Sequence, residues 1–538
     1  MAEILAETFL GYVNLEPEEA TSLGWIGVET ALRDMSEDGE ARRESFYREV
    51  LSDLARLEKT RHSVDEELDR KTLRRHAEFE LFAIELGFQC ANPQWALYPF
   101  VMTRYLAAQG PSSSAEALVE LDGPWRERAR QVAVFLKEHQ GQLLRAKDAG
   151  QVAHASFIES LCDVELPAAR RFWATLEADA SEAVDEHIEF LRRELLVVAP
   201  ETSRLGSEDY AERLRLSYCI ETPLGDIVKV AQASLAETQA EMLALAQALD
   251  LPRRPNTFAD VVALMGEMQN RTLAEIALDT KGVEEHYREI MSRVMNHMVA
   301  IKEFEAIEVD ELGMDVYPEG MRDRGAGTNW PAPLLKRSGR GQFVIHPEPA
   351  AHSMAWDHVL AVHEGVPGHF LQSRGFQGKF SESKAPVRFL AVADDVAIPR
   401  LNMCAMLNIE GYAVYAEECV RRSGFYETEQ ELFALAAHAL RAVRVVAEMQ
   451  FHRGEWSKAE TEAYVLENSG ISNAHWELER YQRCPLQAVA YFFGAQEFWR
   501  LREQLELSRG ESFSAAAFHE EIMTYGPVLP QDIANVIT

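Results

Sequence analysis

A mainly α fold with a small β element is the architecture this sequence predicts, and three observations lead to it. Apolar residues recur at three-to-four spacing through most of the 538 residues, residues that favour helix dominate throughout, and one short stretch rich in Gly and Pro breaks that texture. A hydrophobic content of 47% is enough to bury a large core. We divide the chain into an N-terminal helical half, residues 1–250, and a second half, residues 251–538, which carries the candidate site; the two are expected to form one compact unit.

Taken in order, residues 39–60, 65–88, 125–147 and 166–197 are predicted amphipathic helices, with Arg and Glu interleaved among the apolar positions. Residues 198–206 and 251–257 are surface connections, the second closing on Thr257, a residue suited to cap the next helix. From Tyr317 to Pro349 the pattern predicts irregular structure, with a strand at 342–345 in the run Gln-Phe-Val-Ile. Helix resumes at 353–366, 387–423, 428–453, 457–468 and 475–507.

The charge balance is 54 Lys and Arg against 87 Asp and Glu, a formal −33. That argues against nucleic acid or an anionic membrane as partner, since both demand a basic surface. Six cysteines (Cys90, Cys162, Cys219, Cys404, Cys419, Cys484) are scattered without paired spacing, as for reduced thiols. The N-terminus lacks a basic, apolar leader, and no run of about 18 apolar residues occurs. The expectation is a soluble, cytoplasmic protein, with a homodimer allowed.

One constellation looks built for chemistry. His363-Glu-Gly-Val-Pro-Gly-His369 offers two imidazoles with a carboxylate, Glu364, beside the first. Zinc peptidases carry His-Glu-x-x-His on an unbroken helix, where ligands four apart share a face. Here the second histidine is six residues on, and at ~100° per residue an intact helix would set the two about 120° apart. Pro367 and Gly368 therefore predict a kink or stop that swings His369 back toward a shared ion. His346, His352 and His358 lie nearby and are expected to be structural.

A third ligand is expected from Asn408-Ile-Glu-Gly-Tyr-Ala-Val-Tyr-Ala-Glu-Glu418, where a carboxylate on an apolar helix is costly unless paired or metal-bound. Glu410 is preferred because Gly411 allows close backbone approach; Glu417 is the reserve ligand or supporting partner. On the next helix Arg444, Glu448 and His452 share one face, predicting an Arg444–Glu448 ion pair and a His452 available to steady an oxyanion. After Pro485, Gln487 and Tyr491 share a face; Tyr491 can donate to a tetrahedral intermediate, and Arg480 or Arg483 can hold a substrate carboxylate.

His363-Glu-x-x-Pro-Gly-His-x-x-Gln372, Ile409-Glu-Gly-Tyr-Ala-x-Tyr-x-Glu417, Arg441-x-Val-Arg-Val-Val446 and Pro485-x-Gln-Ala-x-x-Tyr-x-x-Gly494 together resemble the bacterial domain-of-unknown-function 885 family. The four blocks span about 340–500, and the weaker pattern upstream, including Leu224-Gly-Asp, extends the resemblance over most of the chain. That family is similar to helical, gluzincin-like zincin metallopeptidases, relatives of the angiotensin-converting, thimet and Taq-carboxypeptidase groups. The resemblance implies two helical halves around a deep cleft, with His363, His369 and Glu410 as metal ligands, Glu364 as general base, and His452 and Tyr491 at the oxyanion. The chain departs from the family where Ala447-Glu-Met-Gln-Phe-His452 replaces Val-Asp-Thr-Gly-Ile-His, and where Phe492 replaces a common lysine.

The expected function is metal-assisted hydrolysis of an amide in a small peptide or amino-acid conjugate. Glu364, His452, Tyr491 and Arg483 carry the chemistry, and the ion is by default zinc, though manganese, iron or cobalt would also bind such ligands. The alternatives are reuse of the scaffold for a lyase, cyclase or C–N cleavage step in small-molecule biosynthesis, and a noncatalytic binding protein.

Overall fold

The structure is a computed structural model and describes residues 2–57, 62–108, 124–249, 254–317, 325–336, 339–471 and 473–537. It is mainly α, with one three-stranded sheet. The predicted helices appear as Glu37–Leu57, Val64–Leu86, Pro124–Asp148, Thr428–His452 and Lys458–Ser469. Residues 58–60 and 251–253 of the predicted segments lie outside the described residues.

Local chemistry sets several boundaries. Ser63 and Glu66 form a reciprocal capping box at the start of Val64–Leu86, and Gly87, at φ 69°, ends it in the left-handed conformation that glycine adopts without strain. Thr257 caps Phe258–Met268 with Asp260 in the same way, as its position predicted. No described helix is long and apolar enough to cross a membrane.

Three predicted helices are broken. Residues 166–197 divide at Thr175–Glu177, where Leu176 and Glu177 donate back to the Trp173 carbonyl. The 387–423 segment becomes a short turn, a helix ending at Arg400 and the helix Met406–Arg422, separated by Leu401 at φ 55°. The 475–507 segment splits into Ala474–Arg483 and Gln487–Arg509, with Leu486 at φ 77°. Apolar periodicity runs through each break because both flanking helices face the same core, which hides the interruption. Pro485, and Pro399 just before Leu401, are the local signals at two of these breaks.

The strand at 342–345 is present and has two companions that periodicity missed. We label them β1 (Gly313–Val316), β2 (Gly327–Trp330) and β3 (Gln342–Ile345). Their order is β1-β3-β2, with β1 parallel and β2 antiparallel to β3, so β2 is an edge strand. At four residues each, strands this short carry too little alternation to be read.

Two packing contacts position the site. Helix Leu224–Ala248 lies along Thr428–His452, tying the first half of the chain to the second around one apolar core. Met406–Arg422 lies along Gln487–Arg509 so closely that a Cβ on Gly411 would stand 2.3 Å from Gly494 Cα. A Cβ on Gly494 would stand 2.1 Å from the Leu407 carbonyl oxygen, so the crossing accepts only glycine at both positions. Elements from both halves then enclose a cavity of about 620 Å³, lined from Ser22, Ser156 and Glu165 on one side to His363, Glu410 and Tyr491 on the other.

Candidate functional site

The predicted kink is real and stops the helix outright. Asp357–Leu360 widens into a π-turn over Ala361–Gly365, Val366 is extended, the Val366–Pro367 bond is cis, and a new helix begins at His369 with Gly368 as its cap. A side chain on Gly368 would stand 2.1 Å from the His363 carbonyl oxygen, which makes glycine obligatory at the fold-back. The reversal brings the His363 and His369 rings to 4.7 Å between centroids.

Glu410 meets them from Met406–Arg422. Its Oε2 lies 3.4 Å from His363 Nε2 and 3.3 Å from His369 Nε2. That oxygen is buried and accepts no hydrogen bond. The three donor atoms lie within 4.8 Å of one another. Donors around a tetrahedral ion with bonds of about 2.0–2.1 Å stand roughly 3.3–3.4 Å apart, so the set fits a zinc-sized divalent cation.

Two of the three donors, His363 and Glu410, are oriented from behind. Glu417 Oε1 takes His363 Nδ1 at 2.5 Å and is itself held by Arg441 at 2.8 Å, which turns His363 Nε2 toward Glu410. Tyr491 donates its hydroxyl to Glu410 Oε1 at 2.8 Å, and Arg480 donates to the Tyr491 oxygen at 2.8 Å and to Gln487 at 2.7 Å. Glu364 sits beside the pair on the cavity wall, its Oε2 fixed by the Asn329 backbone N–H of β2 at 2.8 Å. The Asn329 side chain donates to the Glu364 carbonyl at 3.0 Å.

The electrostatics favour positive charge at this point. Burial works against the His363 imidazolium, but the nearby Glu410 carboxylate and the hydrogen bond to Glu417 outweigh it and push the pKa up to about 10. Burial would likewise raise Glu410, yet the two histidines hold it well below the ordinary carboxylate range. Glu364 goes the other way: burial dominates over the nearby histidines and raises its proton affinity.

A family model for bacterial proteins of unknown function matches residues 17–537. The chain belongs to that family, DUF885. No curated protein matches it. A solved candidate lipoprotein from Colwellia psychrerythraea is similar in fold, with a TM-score of 0.78 at 15% identity over 99% of this chain and 97% of that one. A candidate lipoprotein of unknown function from Shewanella oneidensis gives a TM-score of 0.71 at 16% identity, over 99% and 98%.

In this DUF885 chain Glu417 supports His363 from behind, the second of the two roles its position allowed. Tyr491 reaches the centre, but its hydroxyl is already given to Glu410. Arg483 lines the cavity and pairs with Glu165 at 3.1 Å.

His452 is a correction. Its Nε2 bonds the Tyr481 carbonyl at 2.9 Å and its Nδ1 accepts the Leu205 N–H at 3.3 Å, away from the cavity lining. Burial keeps it neutral, with a pKa down to about 3, so it braces the helix end rather than an oxyanion. The Arg444–Glu448 pair is a second correction. Arg444 forks onto Glu477 at 2.9 and 2.6 Å, whereas Glu448 accepts the Tyr210 hydroxyl and the Leu486 N–H, both at 2.7 Å.

His346, His352 and His358 are structural, as expected. His352 bridges the Tyr287 hydroxyl and the His346 carbonyl, and His358 bonds Asp357 and Gln430. Sequence reasoning missed Asn329, which no local signal marks. Arg441 was visible as a charge on an apolar helix, and that signal points to a buried acidic partner.

Proposed function

We propose that this DUF885 chain is a metal-dependent hydrolase that cleaves an amide bond in a small peptide or amino-acid conjugate. The observation that carries the reading is the convergence of His363 Nε2, His369 Nε2 and Glu410 Oε2, with Glu364 beside them on the wall of a cavity. Two neutral imidazoles and a carboxylate suit zinc and leave a coordination position open. Similarity of the family to gluzincin-like zincins supports the same ligand set. A divalent ion held there supplies Lewis acidity, polarising a carbonyl and acidifying water.

The chain's own groups do the rest. Glu364, anchored through one oxygen by Asn329 and raised in proton affinity by burial, accepts a proton from water and returns it to the leaving amine nitrogen. Tyr491 and Arg480 keep Glu410 facing the histidines, so no reorganisation is needed when charge develops. β2 offers an edge on the cavity wall to which an extended peptide can hydrogen-bond. A cavity of about 620 Å³ admits small substrates and excludes folded proteins.

The test combines metal analysis with a panel of dipeptides and acyl amino acids. Purified protein is expected to hold about one zinc per chain and to cleave part of the panel. Glu364→Gln should keep the metal and lose about 10²- to 10⁴-fold in kcat. Unchanged turnover in that variant would remove Glu364 as base, and failure to hold any divalent ion would remove the metal centre.

A further inference from the structure

The cavity is chemically two-sided, and its apolar side starts at the metal donors. On the helix His369–Phe380, Phe376 lies two turns beyond His369 on the same face, and Ile409 directly precedes Glu410. Phe376 stacks edge-on against Phe389 at 5.6 Å. With Leu334, Val392 and Ile398 these residues form a continuous apolar wall of the cavity. The lining residues from Asn473 through Glu479, Arg480 and Arg483 to Gln487 are, apart from Trp476 and Cys484, polar and charged.

A second observation falls on the same wall. Ala391, which also lines the cavity, is held at φ 56°, in the left-handed region that L-residues adopt only under strain. Backbone strain of this kind persists where the surroundings impose a shape. Here the imposed shape carries the chain from Phe389 past Val392 along the cavity.

We propose that this wall is a specificity pocket for one bulky apolar side chain of the substrate, adjacent to the bond that is cut. The substrate class is then a short peptide or acyl amino acid with an aromatic or large aliphatic group at that position. This inference rests on the metal-hydrolase reading, and its test separates the two.

The test measures binding of two hydroxamates to the zinc-loaded full chain by calorimetry: acetohydroxamate, which offers only the chelating group, and 3-phenylpropanohydroxamate, which adds an aryl arm. The aryl compound is expected to bind at least tenfold tighter. In Val392→Asp and in Phe376→Ser, each checked for an unchanged melting profile, that advantage should shrink to less than threefold. Equal affinity of the two compounds for the unmodified chain would overturn the pocket while leaving the metal centre standing. Failure of both to bind would overturn the metal centre and the pocket with it.

Discussion

At the scale of single residues, the candidate centre depends on groups that stand behind its donors. Glu417 backed by Arg441 turns His363, and Tyr491 backed by Arg480 turns Glu410, so two of the three candidate ligands are each fixed by a two-step relay from an arginine. Removing such support typically costs 10- to 100-fold in metal affinity. Glu417→Ala and Arg480→Gln are each expected to weaken zinc binding by about that factor in a chelator competition, with the fold retained. Full affinity in both variants would show that the relays have no hold on the ligands. The convergence of His363 and His369 was legible because two histidines at short spacing with Glu364 between them form a compact motif, and Glu410 because a carboxylate on an apolar helix needs a partner. His452 was misassigned for an equally definite reason: periodicity tells which face of Thr428–His452 it occupies, but not that Leu205 and Tyr481 cover that face.

At the scale of elements, the decisive feature is the glycine crossing between Met406–Arg422 and Gln487–Arg509. Gly411 and Gly494 let two backbones touch, and only at that separation does Tyr491 reach Glu410. Gly411→Ala is expected to destabilise by about 1–3 kcal/mol and to loosen metal binding together with it, measured by thermal melts with and without zinc. A melt unchanged in both conditions would mean the crossing is slack. Gly411 was readable in advance as a close-approach site, and Pro367 with Gly368 as a helix stop. The break at Thr175 was not, since no glycine or proline marks it, and the one at Leu401 was passed over although Pro399 stands two residues before it, because apolar periodicity runs on both sides. The sheet was legible only at Gln342–Ile345, where three apolar residues run together; Gly313–Val316 and Gly327–Trp330 take their conformation from pairing with it.

At the scale of the whole molecule, burial of neutral histidines sets the response to acid. His76, His452 and His519 are pushed down to about 3 and His139 to about 4, in each case first by burial. Because their unfolded pKa is near 6.5, the unfolded chain binds more protons at lower pH. Their contribution is therefore complete above pH 6.5 and lost below it, by up to about 1.4 kcal/mol per histidine per pH unit. Glu18 and Glu448, raised by burial to about 7, act oppositely between about 4.5 and 7 and no further. The melting temperature is expected to fall from pH 6.5 to 4, more steeply below 4.5, and His452→Gln should flatten part of that slope. A melting temperature constant over that range would contradict the neutral histidines. The cavity has a different consequence at this scale. Its metal donors come from a span of fewer than fifty residues, while its walls draw on Ser22 at one end of the sequence and Tyr491 near the other. The surroundings of the donor cluster therefore depend on parts of the chain far from the motif that carries it, so a change near Ser22 can alter what reaches His363 without touching the donors.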